Sequence, residues 1–110
     1  MATVESYVEY VCEQIRDCGH IRYKKMFGEY MVYVNDKPIL LVCDNTVFVK
    51  KLDCLAKIMS AADCATPYKG AKEHYILDTE NRELCQEVVA ILEPITAVPK
   101  PRTKKISSQK

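Results

Sequence analysis

Six cysteines and two histidines hold most of the reactive side-chain chemistry in this sequence. The thiols are Cys12, Cys18, Cys43, Cys54, Cys64 and Cys85, and the imidazoles are His20 and His74. Structural zinc sites commonly place paired thiols two to four residues apart. No Cys-x-x-Cys pair occurs here, and the loose group Cys12, Cys18, His20 matches no familiar ligand spacing. Nucleophilic catalysis needs a thiol or hydroxyl within hydrogen-bond reach of a base. Cys64 and His74 are the one pairing left for the fold to bring together, yet His74 also reads simply as a partly exposed histidine at a strand start. With three glycines in the chain there is no glycine-rich phosphate loop, and Glu29 and Glu73 are isolated carboxylates. The expectation is a chain with no metal, no cofactor and no catalytic residues, its cysteines serving as small core hydrophobes.

A second group of residues suits binding better than catalysis. Arg22, Lys24 and Lys25 cluster around Tyr23, and Met26-Phe27-Gly28 follows directly. Cations beside aromatic rings can contact phosphates and stack on bases. The same alternation also describes one solvated face of a strand. Gly28 permits a bend or a close backbone approach. Arg22, Lys24, Lys25, Met26, Phe27 and Gly28 are therefore the candidate binding residues.

Charge is unevenly spread. The formal net charge is +1, but residues 98–110 hold five of the sixteen bases and no acid. The remaining eleven bases face fifteen acids, so residues 1–97 are mildly acidic. Two domain-level segments are expected: a folded unit over 1–97 and a disordered basic tail over 98–110, the latter capable of weak contact with nucleic acid. At 110 residues, with 48% hydrophobic and 28% charged side chains, the chain suits one globular domain. No apolar run approaches a membrane span, and the first residues lack a signal peptide pattern, so a cytoplasmic location with reduced thiols is expected.

The elements that must position these residues follow from periodicity. Val4, Tyr7, Val8, Val11, Cys12, Ile15 and Cys18 recur at helical spacing, predicting a helix over 4–18 with Thr3 as cap and Gly19 in a left-handed terminus. Four strands are predicted between Ile21 and Lys50, with tight turns at Asn35-Asp36 and Asp44-Asn45, as an antiparallel meander. The third, Ile39 to Cys43, is apolar throughout and should be central. A short helix is expected over 52–62, a loop over 66–70, and a strand at His74 to Leu77. A last helix is expected over 80–93, capped by Asp78 or Thr79 and stopped by Pro94. Helix, four strands, helix, strand, helix is an α+β order, with helices on one face of a mostly antiparallel sheet.

The stretch Arg22 to Lys50 resembles the N-terminal domain of the TfoX/Sxy competence regulators. Lys25-Met26-Phe27-Gly28, the apolar strand ending at Tyr33, the closing Val47-Phe48-Val49-Lys50, and the later Pro67-Tyr68 and His74-Tyr75 carry the likeness, over about residues 3–95. The resemblance implies a secretion-chaperone-like α+β fold. It also implies a single-domain relative of bacterial regulators of DNA uptake, without their helical C-terminal domain. No catalytic residues come with that family. The function expected is a regulatory or protein-interaction module, binding another protein or itself through an exposed sheet edge or a sheet face that the helices leave uncovered. The alternatives are a direct nucleic-acid-binding regulator and a small cysteine-dependent enzyme.

Overall fold

A computed structural model describes residues 3–26 and 29–98. Phe27, Gly28 and all of the basic tail beyond Val98 lie outside the described residues.

The order is α1 (Glu5–Gln14), β1 (Ile21–Met26), β2 (Glu29–Val34), β3 (Lys37–Cys43), β4 (Thr46–Lys50), β5 (Cys64–Ala65), β6 (His74–Leu77) and α2 (Arg82–Leu92). The six strands form one sheet in the order β1-β2-β3-β4-β6-β5, antiparallel throughout. The meander is as expected, and β3 is central. Its tight turns have the backbone that Asn and Asp tolerate best: Asn35 and Asp36 have φ of 52° and 67°, and Asp44 and Asn45 have 51° and 55°. Positive φ at both central residues marks the type I′ hairpin, whose twist matches that of its flanking strands.

Alternation along the strands divides the sheet into two faces. Tyr30, Val32 and Val34 of β2, Leu40 and Val42 of β3, Val47 and Val49 of β4, and Leu77 of β6 are buried on one side. Val8 and Val11 of α1, Ile15 just after it, and Cys85, Val88, Val89 and Leu92 of α2 close over them. The register shifts between Val32 and Tyr33, so that Val32 faces Leu40 while Tyr33 faces Pro38. Ile39 is the extra residue of this bulge, and it joins Leu40 in the core.

Several expected boundaries are corrected by what the side chains do instead. The first helix stops at Gln14, and Arg16–Cys18 is a separate 3-10 turn. Its N-cap is Val4, with no capping side chain. The Thr3 hydroxyl donates to Glu29 Oε1 at 2.6 Å and accepts from Asn45 N at 3.1 Å, so it ties the start of α1 to the sheet rather than capping the helix. Gly19 does end the segment with positive φ. At 147° with ψ −157°, however, its backbone is extended and not left-handed helical.

Residues 52–62 do not form an α-helix. A 3-10 turn spans Asp53–Leu55 and further turns follow it. The bonds there run mostly three residues back, as from Ala56 N to Asp53 O and from Ala62 N to Met59 O. Only Leu55 and Met59 are buried, and two anchors hold too little apolar surface to sustain so short a helix. The last helix begins at Arg82 rather than 80. Its cap is Asn81, whose Oδ1 accepts from Leu84 N at 3.0 Å, not Asp78 or Thr79. Asp78 instead accepts from Glu80 N in a local turn, which leaves Glu80 ahead of the helix. Pro94 sits inside a 3-10 turn, Glu93–Ile95, that continues directly from α2. The two-residue β5 is an addition to the expected sheet.

One ion pair joins the end of α2 to β3. Lys37 Nζ lies 2.8 Å from Glu93 Oε2 and donates to the Glu93 carbonyl at 2.9 Å, with both side chains about three-quarters buried. The Lys37 ammonium, helped by Asn35, holds the Glu93 carboxyl below its ordinary value of 4.5. A lowered folded-state value means that this stabilisation is fully present above pH 4.5 and is lost as pH falls through the folded value. Urea midpoints measured from pH 7 to pH 3 should therefore fall more steeply for the parent than for Lys37→Met, which is less stable at neutral pH. Parallel acid limbs in the two proteins would show that the pair contributes nothing to folding.

Candidate binding face

The sheet has two faces, and both helices lie on one. Pairing registers align Lys24 of β1, Met31 of β2, Leu41 of β3, Phe48 of β4 and Ile76 of β6 in one row across the opposite face. None of these side chains joins the cluster beneath the helices. Met31, Leu41 and Ile76 are half-buried, and Phe48, between Leu41 and Ile76, is 7% exposed. The next row brings Arg22, Tyr33 and Pro38 together on one side of it. Lys50 and His74, paired across β4 and β6, continue on that same side beyond Pro38.

This arrangement divides the candidate residues read from the sequence. Arg22, Lys24 and Met26 alternate onto the open face, while Lys25 pairs with Tyr30 and lies on the helix side. The four consecutive residues are not one patch. Arg22 is also committed locally: its Nε donates to Asp36 Oδ1 at 3.1 Å, and its guanidinium sits 4.6 Å from the centre of the Tyr33 ring. β1 is an edge strand, and lysines on an edge discourage pairing with other chains. Phe27 and Gly28 lie outside the described residues.

The residues that sequence reasoning did not single out are Met31, Leu41, Lys50 and Tyr68. Their signal was alternation: every second residue of Tyr30 to Val34 must leave the core, and two of those are Met31 and Tyr33. Tyr68, 62% exposed, stands on the 66–70 loop and borders a groove floored by Met31, Leu41 and Phe48. His74 walls the same groove. Its Nδ1 lies 2.7 Å from the Lys72 carbonyl oxygen, and its ring meets Phe48 edge-on at 6.5 Å.

The structure places Cys64 and His74 next to each other without joining them. Cys64 is the register partner of Tyr75 and Ala65 that of His74, so thiol and imidazole emerge on opposite faces of the sheet. Among the described residues no three His, Cys, Asp or Glu side chains gather as a metal site requires. The core reading of the cysteines holds for Cys43 and Cys85, which are buried, and for Cys12 and Cys18, which pack half-buried against the core. It fails for Cys54 and Cys64, which are exposed because the 52–65 segment buries only one side of its short turns. Burial pushes the Cys12, Cys43 and Cys85 thiols up to about 11. The thiolate is the reactive form. Iodoacetamide at pH 8 should then add two groups rapidly to the folded protein, at Cys54 and Cys64, and six after unfolding, read by peptide mass spectrometry. Rapid labelling of Cys85 in the folded protein would contradict the packing.

The sequence profile of the TfoX N-terminal domain matches residues 13–88. The chain belongs to this family. The match runs from α1 into α2 and takes in every strand, so the whole sheet is TfoX N-terminal domain architecture. A 12.7 kDa protein in the trpE 5′ region of Spirochaeta aurantia is similar over a longer span, almost the whole chain. It is 32% identical over 107 residues, covering 96% of this chain and 93% of that one. The TfoX N-terminal domain here has the α+β class that the resemblance implied, with an antiparallel sheet and helices on one face as the element order predicted. Among its described residues no helix is long and apolar enough to cross a membrane.

Proposed function

We propose that this TfoX N-terminal domain is a non-catalytic, cytoplasmic regulatory module that binds another protein through the helix-free face of its sheet. The observation that carries the reading is the apolar row Met31, Leu41, Phe48, Ile76, over which neither helix packs. A half-buried apolar row that no helix covers is the kind of surface that a partner can complete. The separation of Cys64 from His74 supports the absence of thiol catalysis.

Direct nucleic-acid binding is the weaker reading. Arg22 is already satisfied by Asp36 and Tyr33, and the mildly acidic folded unit lacks the strongly basic face of a dedicated binder. The basic tail would add at most a weak, salt-sensitive attraction to polyanions.

The test is affinity capture from the cells that make the protein, with and without nuclease, using the parent and Met31→Thr/Leu41→Thr. Threonine keeps strand propensity and removes apolar surface on the open side only. A protein retained by the parent, lost by the variant and unaffected by nuclease supports the reading. Identical capture by both proteins, or capture that disappears with nuclease, defeats it.

A further inference from the structure

Three grooves of the molecule meet at one side chain. The first runs under Tyr68 along Met31, Leu41 and Phe48. The second follows Lys51, Lys72 and Glu73 beside the same tyrosine. The third lies between Pro38 on β3 and Ile95 beyond α2. Lys50 lines all three, at the end of β4, and it is exposed. Among the described residues no carboxylate pairs with Lys50, Lys24 or Lys72, whereas Lys51 is held by Glu73 at 2.9 Å and Arg22 by Asp36 at 3.1 Å. The apolar row is thus flanked by uncompensated ammonium groups, Lys24 at its β1 end and Lys50 beside Phe48.

The opposite layer is acidic on balance, although Lys25 lies there with Arg16, paired with Glu13 at 3.0 Å, and Arg82, 3.7 Å from Asp17. Glu5, Glu9 and Glu13 of α1 and Glu83 and Glu87 of α2 are all exposed. This asymmetry argues about what can cover the sheet. A second copy docked face to face sets Lys24 and Lys50 against a like-charged face. A second copy docked by its acidic helices makes a head-to-tail contact that does not close as a dimer. Single-stranded nucleic acid would need open rings for its bases. Phe48 is nearly buried and capped edge-on by His74, and the Tyr33 ring is taken by Arg22, which leaves Tyr68 as the one well-exposed ring on this face among the described residues. Aliphatic side chains fill most of the floor.

We infer that the sheet face takes an acidic, amphipathic segment of another protein, its apolar side chains on Met31, Leu41 and Ile76 and a carboxylate on Lys50. The inference rests on the proposed use of this face and names the chemistry of its occupant. Complementary charge at the rim steers and orients such a segment, while the apolar row supplies the buried area.

The experiment titrates the full-length 15N-labelled protein with three probes: a 16-residue helical peptide with a leucine stripe flanked by glutamates, the same peptide with lysines for glutamates, and a twelve-residue oligothymidylate. The acidic peptide should bind, shifting amides of Met31, Leu41 and Lys50, and weaken as salt is raised. Lys50→Glu should reduce its affinity roughly tenfold with an unchanged melting temperature. Equal binding of the lysine peptide, shifts confined to α1 and α2, or no binding of the acidic peptide would overturn the inference. Binding of the oligonucleotide in its place would overturn it in favour of nucleic acid. If a captured protein depends on Met31 and Leu41 while the acidic peptide fails, the face remains the interface and the stated chemistry is what falls.

Discussion

Leu40→Ala should lower unfolding free energy by about 3 kcal/mol, while Leu41→Thr, one residue along the same strand, should cost about 1 kcal/mol. The two leucines are chemically identical and differ in the face to which β3 delivers them. Leu40 is fully buried opposite Val32, beneath the helices. Removing its isobutyl group loses transfer free energy and leaves a cavity that close-packed neighbours cannot fill. Leu41 is half-buried opposite Met31 and Phe48, where solvent can occupy the vacated space. For a domain of this size the first change corresponds to a drop in melting temperature on the order of 15 °C. Urea denaturation of both variants measures the contrast directly. Comparable losses would show that the face opposite the helices is packed, and would remove the physical basis for treating it as an interface.

Gly19→Ala is expected to cost about 2 kcal/mol, a large effect for one added methyl group. Two causes combine. The backbone at φ 147° and ψ −157° lies in a region that essentially only glycine occupies. A Cβ there would also stand 2.8 Å from the Asn35 side-chain amide. Asn35 has little freedom to move, because its Oδ1 accepts from His20 N at 2.9 Å and its Nδ2 reaches Glu93. Gly70 provides the control. It too has positive φ, 89°, but nothing lies within 4 Å of the position its Cβ would take. Gly70→Ala should therefore show the backbone penalty without the clash. If the two alanine variants melt together, Asn35 yields readily and the clash term is absent.

The hairpins were legible in the sequence because their cause is local. Asn35-Asp36 and Asp44-Asn45 carry turn chemistry in two residues, and alternation on either side fixes which side chains meet the core. Boundaries set by distant partners were not legible. Thr3 is an ordinary cap by type, but Glu29 and Asn45, brought beside it by the sheet, claim its hydroxyl. Leu52 to Ala62 has good helix formers, yet the core fully buries only Leu55 and Met59, with Leu52, Ile58 and Ala62 packed at its margin. The binding face was hidden for the same reason. Arg22, Lys24 and Lys25 look like one patch in a line of text, and period-two geometry turns Lys25 away. Met31, Leu41, Lys50 and Tyr68 lie far apart in sequence and meet only through the register of β2, β3 and β4 and the loop that follows β5.

The link between α1 and the turn before α2 bears on the order in which a ribosome-bound chain can fold. Tyr10 Oη and Gln14 Nε2 both donate to the Thr79 carbonyl, at 3.1 and 2.7 Å, across 69 and 65 residues of sequence. During synthesis α1 and the four-stranded meander emerge first, and their contacts are short-range. The valines of β2 to β4 then wait, half-covered, until Val88, Val89 and Leu92 arrive. At the usual elongation rate of about 5–20 residues per second, that wait is a few seconds. A nascent chain stalled before residue 82 would present two apolar faces to the cell instead of one, and so be prone to chaperone capture or aggregation.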